Sequence, residues 1–153
     1  MPEALLAISP IDGRYQNKVA ELQAYFSEFA LIKYRVQVEI EYLILLAENI
    51  PQINAFSAAK ITFLRGLYLN FSIEDGQAIK SIEATTNHDV KAVEYWIKQR
   101  INGKVSAEVL ELEHFGLTSQ DINNTATHLM IKHAQIEVYL PKLSELISEL
   151  LQL

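Results

Sequence analysis

The amino-acid sequence predicts an all-α fold, with a small helical N-terminal domain followed by the first long, proline-kinked helix of a central helical bundle. Three observations favour this class. Apolar residues recur at steps of three and four over most of the chain, no clear strand alternation appears, and only five Gly and four Pro interrupt the pattern. We expect the N-terminal domain to span residues 1–113 and the bundle domain to begin within residues 114–153.

The first predicted helix is long and covers Phe29 to Ala47. Its apolar face is formed by Phe29, Ile32, Val36, Ile40, Leu43 and Ala47. Pro51 closes this helix, because proline has no backbone N–H for a helical hydrogen bond. A second helix is predicted over residues 55–69.

Shorter helices are expected in the middle of the chain. Ser72 and Asp75 have the spacing of a capping box, which predicts the start of a third helix. A fourth helix is marked by Val90, Val93, Ile97 and Ile101. The Asn102-Gly103 pair is interpreted as a helix stop and a loop. A further short helix is predicted over residues 106–115, ended by Gly116.

The last predicted helix carries a heptad pattern, the C-terminal seam. Its apolar positions alternate steps of four and three: Ile122, Ala126, Leu129, His133, Ile136, Leu140, Leu143, Ile147 and Leu150. Pro141 is expected to kink this helix, at a cost of about 3 kcal/mol, without ending it. Because nothing else in the sequence shows a comparable heptad, we expect its partner helices to lie outside this chain. The pattern stops at Leu153 without a Gly or Asn cap, which indicates a truncated polypeptide.

Composition and charge exclude several functional classes. The sequence has no Cys, which excludes disulfides and thiolate metal sites and favours a cytoplasmic location. Its net charge is −6, and scattered Lys and Arg argue against nucleic acid as a partner. No apolar run approaches the roughly 20 residues of a membrane span, so no membrane partner is expected. His128 and His133 do not share a helix face well, which argues against a metal site, and His114 and His133 are assigned to packing.

Three polar segments interrupt the helical pattern with residue types that a core does not need. The first is Ser9–Tyr15, where Pro10 and Gly13 predict a tight turn that presents Arg14 beside the hydroxyl of Tyr15. The planar guanidinium of Arg14 suits a phosphate or a carboxylate. Taken alone, such a segment is more often a surface turn with a solvated arginine.

The second segment, Thr85–Asp89, directly precedes the fourth predicted helix. Asn87 is a favourable N-cap, which would place free backbone N–H groups and the positive end of the helix dipole beside His88. His88 can donate to a phosphate, and Asp89 can orient a neighbouring imidazole or favour the first helical turn. Taken alone, such a pattern is slightly more often a helix cap than a binding site.

The third segment is Thr118–Asn124, in which Thr118 and Asp121 form another predicted capping box. The hydroxyls of Thr118 and Ser119, beside a helix N-terminus, can bind a carboxylate. Capping accounts for Thr118 and Asp121 but not for the adjacent Ser119 or the Asn123-Asn124 pair. The segment therefore predicts a polar site at the start of the last helix.

Taken together, the three segments resemble the N-terminal part of adenylosuccinate lyase of the bacterial type. The matching sequences are SPIDGRY, TTNHDVKAVEY and HFGLTSQDINN, in this order and at these separations. The likeness runs over essentially the whole chain. This family belongs to the fumarase and aspartase superfamily, whose members eliminate fumarate from a succinyl-bearing substrate. The resemblance implies a helical enzyme that forms a homotetramer through its central bundle and needs no cofactor or metal.

The resemblance also implies two reactions of purine nucleotide biosynthesis. Adenylosuccinate would give AMP and fumarate, and succinyl-aminoimidazole carboxamide ribotide would lose fumarate in the same way. By position, the family's substrate-binding motifs match Arg14, Tyr15, Asn87, His88, Asp89, Thr118 and Ser119. We expect Thr118 and Ser119 near the succinyl group. The phosphate end is expected near Arg14, Tyr15 and His88.

No catalytic residue of the family is expected in this sequence, in which His88 has a supporting role at most. The family's general acid is a His in a later Thr-His-Gly segment, and its general base is a Ser on a mobile loop. Neither segment occurs in these 153 residues. The fragment alone is therefore expected to be inactive.

Two other functions stay open. Another fumarate-releasing lyase of the superfamily, such as one acting on argininosuccinate or malate, is disfavoured by the Arg-Tyr and Asn-His-Asp motifs. A non-enzymatic helical module would use the C-terminal seam to bind partner helices. Exposed Leu143, Ile147 and Leu150 would favour the module, whereas ligand binding through Arg14 and His88 would favour the enzyme.

Overall fold

The computed structural model describes residues 6–51 and 53–153, and this part of the chain is helical without a strand, which confirms the predicted all-α class. Two 3₁₀ turns, Gln16–Lys18 and Ala20–Leu22, come first. The α-helices are α1 (Gln23–Phe26), α2 (Glu28–Asn49), α3 (Ala58–Leu69), α4 (Ile73–Thr86), α5 (Asp89–Ile101), α6 (Ala107–Glu111), α7 (Ser119–Ala134) and α8 (Leu140–Leu150). A π-helical turn, Gln135–Tyr139, joins α7 directly to α8. Among the described residues, none of these helices has the length and apolar character of a bilayer-spanning segment.

Side-chain caps set where several helices begin. Both predicted capping boxes are present: Ser72 caps α4 together with Asp75, and Thr118 caps α7 together with Asp121. In each box the hydroxyl oxygen accepts from a backbone N–H that has no partner inside its helix. Short-range sequence signals therefore placed these two helix starts correctly.

Two predicted helix boundaries were wrong. The start of α3 lies later than predicted, because the Ser57 hydroxyl oxygen accepts from the Lys60 N–H over 3.3 Å and caps the helix there. The end of α6 lies earlier than predicted, at Glu111. A turn with left-handed backbone at His114 and Gly116 follows it, and this conformation cannot continue a right-handed helix.

The core is built around α2, which contacts α3, α4, α5 and α7. Large side chains with almost no exposed surface come from four helices: Val36, Ile40, Leu43, Leu64, Ile79, Val93, Ile97 and Ile101. Trp96 of α5 packs edge-on against Phe71, with ring centroids 5.5 Å apart. Removing this apolar surface from water stabilises the packing of α2 against α5. The two helices therefore hold the side chains at their ends in defined positions.

A second, smaller cluster joins α2 to α7. Its buried members are Ala30, Tyr34, Ala126 and Met130. We predicted that every helix packing on the C-terminal seam lies outside this chain, and for the first half of the seam that prediction was wrong. The partner is α2, whose buried residues face two sides at once: Ile40 toward α5 and Tyr34 toward α7.

The second half of the C-terminal seam is exposed. Ile136, Leu140, Leu143, Ile147 and Leu150 are between 37% and 59% exposed. The helix continues through Pro141 as predicted, and the irregularity takes the form of the π-helical turn just before it. Proline has no N–H for the carbonyl of Glu137, so a regular α-helical bond is not available there.

Candidate substrate-binding site

The N-termini of α5 and α7 meet on one surface of the fold. His88 is the N-cap of α5 and Thr118 is the N-cap of α7. The Nε2 atom of His88 lies 3.5 Å from the Oγ atom of Ser119, the first residue of α7. Since the first N–H groups of a helix carry partial positive charge, two such ends side by side attract an anion. The second and third polar segments of the sequence are brought together here.

The hydrogen bonds of His88 determine which ring nitrogen faces a ligand. Its Nδ1 atom accepts from the backbone N–H of Lys91 over 3.1 Å, so this nitrogen carries no proton. The proton of the neutral imidazole is then on Nε2, on the side of Ser119. The His88 side chain is 49% exposed. His88 therefore presents an N–H donor at the surface where an anion would bind.

Asn87 is not the N-cap of α5, and this part of the prediction was wrong. It ends α4 in a left-handed conformation with φ 51°, and its N–H donates to the Glu83 carbonyl over 2.8 Å. Asparagine tolerates this conformation better than most non-glycine residues. The sharp turn at Asn87 leaves His88 in the cap position. Asn87 is exposed and lines a shallow depression with Lys80, Glu83 and Ala84.

Asp89 is held by a buried arginine of α2. The Nη2 atom of Arg35 donates to Asp89 Oδ2 over 2.6 Å, and its Nε atom donates to Asn123 Oδ1 over 2.9 Å. The Val90 N–H donates to the other carboxylate oxygen of Asp89. Burial alone would raise the pKa of Asp89, but the Val90 N–H and the charge of Arg35 outweigh it and lower the pKa. Asp89 therefore anchors the start of α5 to α2.

Thr118 and Ser119 differ in what their hydroxyls can offer a ligand. The Thr118 hydroxyl donates to Asp121 Oδ2 over 2.7 Å and accepts from the Asp121 N–H over 3.4 Å. Hydrogen bonds from the hydroxyl and the backbone N–H of Thr118 lower the pKa of Asp121. The Ser119 hydroxyl contacts only His88 in the part of the chain that the structure describes. Ser119 is therefore the better donor to a ligand oxygen.

The loop that leads into α7 is fixed by contacts with α2. His114 has a left-handed backbone with φ 65°, and its Nδ1 atom lies 2.6 Å from Glu39 Oε1. The carbonyl of Phe115 accepts from the Tyr42 hydroxyl over 2.8 Å. Gly116 then adopts φ 73°, which glycine reaches without a steric penalty. These contacts hold the N-terminus of α7 in place, so His114 does more than the packing that we predicted for it.

Three buried glutamates lie near His114: Glu39, Glu94 and Glu113, each no more than 3% exposed. Glu94 Oε1 lies 3.6 Å from His114 Nε2, and its other oxygen accepts from Lys91 Nζ over 2.5 Å. Burial, reinforced by neighbouring carboxylates, raises the pKa of Glu39 and of Glu113 to about 8. Both oxygens of Glu113 are buried without a hydrogen-bond partner among the described residues. An uncharged carboxyl suits such surroundings.

The first polar segment forms the predicted turn but stands apart from the other two. The Tyr15 N–H donates to the Pro10 carbonyl over 2.8 Å. The Arg14 guanidinium lies 5.2 Å from the centre of the Tyr15 ring. Within residues 6–51 and 53–153, no hydrogen bond or ion pair joins Arg14 or Tyr15 to His88 or Ser119. The structure thus brings the second and third segments together, while the first segment remains a separate exposed turn.

Two further histidines have local roles. The Nδ1 atom of His133 lies 2.8 Å from the Tyr34 hydroxyl in a partly buried contact, in agreement with the predicted packing role. His128 Nδ1 lies 2.7 Å from the backbone carbonyl of Asn124 in its own helix. Among the residues that the structure describes, no three His, Asp or Glu side chains converge as metal ligands would.

Comparison with known proteins places the chain in a family. A sequence model of the lyase family matches residues 13–153, and the chain therefore belongs to the lyase family. Among curated proteins it is similar to adenylosuccinate lyases. The one from Dictyostelium discoideum is 53% identical over 150 residues, which cover 95% of this chain and 32% of that protein.

Two bacterial adenylosuccinate lyases show the same partial coverage. The Haemophilus influenzae protein is 49% identical over 152 residues, covering 97% of this chain and 33% of that protein. The protein of Escherichia coli strain K12 is 47% identical over 152 residues, covering 94% of this chain and 32% of that protein. The chain therefore spans about a third of the length of these relatives and corresponds to their N-terminal portion.

Proposed function

We propose that this chain supplies the N-terminal substrate-binding elements of an adenylosuccinate lyase. The complete enzyme would eliminate fumarate from adenylosuccinate, giving AMP, and from succinyl-aminoimidazole carboxamide ribotide, in purine nucleotide biosynthesis. Family membership and the names of the relatives support this activity. The observation that carries it is the juxtaposition of His88 Nε2 and Ser119 Oγ at two helix N-termini, since the substrate has a phosphate and two carboxylates.

Each proposed binding residue has a role that fits its hydrogen bonds. Ser119 donates to a carboxylate of the succinyl group, and Thr118 shapes the helix end that presents it. Because its Nε2 lies 3.5 Å from Ser119 Oγ, we assign His88 to the same carboxylate as Ser119 and not, as expected from the sequence, to the phosphate end; it takes no part in proton transfer. Asn87 makes the turn that exposes His88, and Asp89 anchors it.

Arg14 and Tyr15 are proposed to bind the phosphate from the separate exposed turn. A guanidinium is always charged and forms two parallel hydrogen bonds to a phosphate. The Tyr15 side chain is 45% exposed, so its hydroxyl is accessible to a ligand. The general acid and the general base come from segments that these 153 residues do not contain. The chain is therefore a binding component, and no metal or cofactor is needed for the elimination.

The assembly follows from the same proposal. In the complete enzyme residues 1–113 form the N-terminal domain and residues 114–153 open the central helical bundle. The exposed apolar side chains of α8 pack on other bundle helices, and the bundle builds a cytoplasmic homotetramer. The same exposed side chains favour a second candidate function, a helical interaction module without catalytic activity.

A chimeric enzyme tests the proposed activity directly. Residues 1–153 replace the matching N-terminal segment of the Escherichia coli relative, and fumarate release is followed by absorbance with each of the two proposed substrates. We expect saturable elimination from both. His88→Ala should raise KM, whereas the matched control His128→Ala should not, because His128 is exposed and bonds only within its own helix.

The outcomes separate the candidate functions. A folded, oligomeric chimera that eliminates nothing from either substrate would contradict the proposed enzyme and leave the interaction module. Elimination from argininosuccinate or malate instead would assign the chain to another lyase of the superfamily. An unchanged KM in His88→Ala would remove His88 from the binding site.

A further inference from the structure

Arg35 of α2 is a buried cation that does not belong to the proposed ligand-contacting residues. Only 7% of its surface is exposed, although a charged side chain is costly to bury without partners. Its guanidinium has two of them, and they belong to different helices. One is Asp89 at the start of α5 and the other is Asn123 in the second turn of α7.

These two partners are adjacent to the residues of the candidate site. Asp89 directly follows His88, and Asn123 lies one helical turn after Ser119. The distances are 2.6 Å from Arg35 Nη2 to Asp89 and 2.9 Å from Nε to Asn123. Because a guanidinium is planar and rigid, its two bonds fix the separation between the groups that it holds. Arg35 thereby sets the distance between His88 and Ser119. It does so from a buried position on α2 that a ligand does not contact.

We propose that Arg35 is a positioning residue that sets the distance and the donor orientation of the His88–Ser119 pair. The kinetic effect expected from this role rests on the proposed function. Lysine at position 35 would keep the charge but lose the two-bond geometry of the guanidinium, since an ammonium on a flexible side chain does not fix two acceptors at a defined angle. Arg35→Lys should therefore loosen the pair while leaving a cation in the core.

The first test uses the 153-residue chain itself and needs no enzymatic activity. Imidazole ¹⁵N chemical shifts report which nitrogen of His88 carries the proton, and His114, His128 and His133 serve as internal references. In Arg35→Lys we expect the two His88 nitrogens to shift toward a mixture of tautomers and the Lys91 amide, which donates to Nδ1, to exchange faster. The matched control is Arg65→Lys, which loosens a two-bond pair with Glu41, also on α2; among the described residues this pair has no hydrogen bond to His88 or Ser119.

The second test is a double-mutant cycle in the chimeric enzyme. Arg35→Lys should raise KM by on the order of tenfold with little change in kcat, because the loss is in substrate binding. In a His88→Ala background the same substitution should raise KM much less, since interacting positions are not additive. Additive effects would mean that Arg35 only stabilises the fold, and they would overturn the proposal.

Each arm has a decisive negative result. Unchanged ¹⁵N shifts and Lys91 exchange in a folded Arg35→Lys chain would overturn the positioning role. If the unsubstituted chimera is inactive, the proposed function fails while the spectroscopic arm still decides about Arg35. If Arg35→Lys does not fold, Asn123→Ala replaces it, because this change removes only one bond and leaves the pair with Asp89. The same spectroscopic criteria then apply.

Discussion

His88 Nε2 and Ser119 Oγ lie 3.5 Å apart although 31 positions separate the two residues in the sequence. Each stands at the first turn of a different helix, and the two helices are held by α2. The pair offers a ligand one N–H and one O–H donor at adjacent points. A bound carboxylate or phosphate oxygen can therefore accept from both without a change in the backbone.

Thr118 and Ser119 are neighbours whose substitution should affect different properties, folding stability for Thr118 and substrate binding for Ser119. Thr118→Ala removes an N-cap and should lower the free energy of unfolding by about 0.5 to 2 kcal/mol. Ser119→Ala leaves the cap intact, so unfolding should change little, while substrate binding by the chimeric enzyme weakens by roughly 1.5 to 3 kcal/mol. Urea unfolding and KM measure the two quantities.

The matched control is Ser72→Ala, which breaks the other capping box of the chain. It should destabilise the fold about as much as Thr118→Ala does and leave KM unchanged, because α4 begins away from the site. Equal losses of stability in Ser119→Ala and Thr118→Ala would contradict the separate roles given to the two hydroxyls.

The buried carboxyls of Glu39 and Glu113 predict a loss of stability as the pH rises from 4.5 to 8. Burial raises each pKa from 4.5 to about 8, so between these values the folded chain keeps protons that the unfolded chain has released. The free energy of unfolding should therefore fall as pH rises from 4.5 to 8, by up to about 1.4 kcal/mol per pH unit for each carboxyl. Above this range the contribution is fully lost.

Glu39→Gln tests this pH dependence. A glutamine does not titrate and still offers His114 a hydrogen-bonding group, so the decline in stability with pH should become shallower. Glu111→Gln is the control, because the Glu111 side chain is 80% exposed. Chemical unfolding at a series of pH values gives the slopes. Parallel curves for Glu39→Gln and the unsubstituted chain would show that Glu39 is ionised in the folded state across this range.

Arg14→Ala should weaken binding of both phosphate-bearing substrates to the chimeric enzyme. Loss of a hydrogen bond to a charged group costs roughly 1.5 to 3 kcal/mol, which appears as a higher KM. Lys18→Ala is a suitable control, since Lys18 is an exposed cation of the same N-terminal segment. Unchanged Michaelis constants for both substrates in Arg14→Ala would exclude Arg14 from the phosphate site.

The 153-residue chain alone should not release fumarate from adenylosuccinate. Elimination needs a base for the carbon-bound proton and an acid for the leaving nitrogen, and each contributes about 10² to 10⁴ in rate. Fumarate absorbance with purified chain and saturating substrate, beside a full-length adenylosuccinate lyase, measures this. Turnover within a few-fold of that enzyme would mean that the proton-transfer groups lie within these residues.

Local features of the fold were predictable because their signals are short-range. Ser72 with Asp75 and Thr118 with Asp121 are each three positions apart, so a capping box can be read from the sequence. His88 shows the limit of such signals. Asparagine is the better N-cap by type, but the reversal between α4 and α5 needs a left-handed residue, and this requirement moved the cap from Asn87 to His88.

The supporting side chains of the site could not be assigned from the sequence. Arg35 meets its partners 54 and 88 positions away, and Glu39 meets His114 75 positions away. One weak signal was present. Arg35 and Glu39 are four positions apart and adjoin core positions of α2, where a charged side chain needs a partner. Only packing of the helices shows which partner that is.

The π-helical turn at Gln135–Tyr139 sets the angular phase of α8. A π turn takes up one more residue than an α turn, and each residue of an α-helix rotates the chain by about 100°. If the same five residues were regular α-helix, they would turn the chain about one residue further and α8 would be rotated by about 100°. The stripe of Leu143, Ile147 and Leu150 would then point elsewhere with every side chain unchanged. The conformation of this short segment, as much as the chemistry of the stripe, thus determines which neighbour α8 faces.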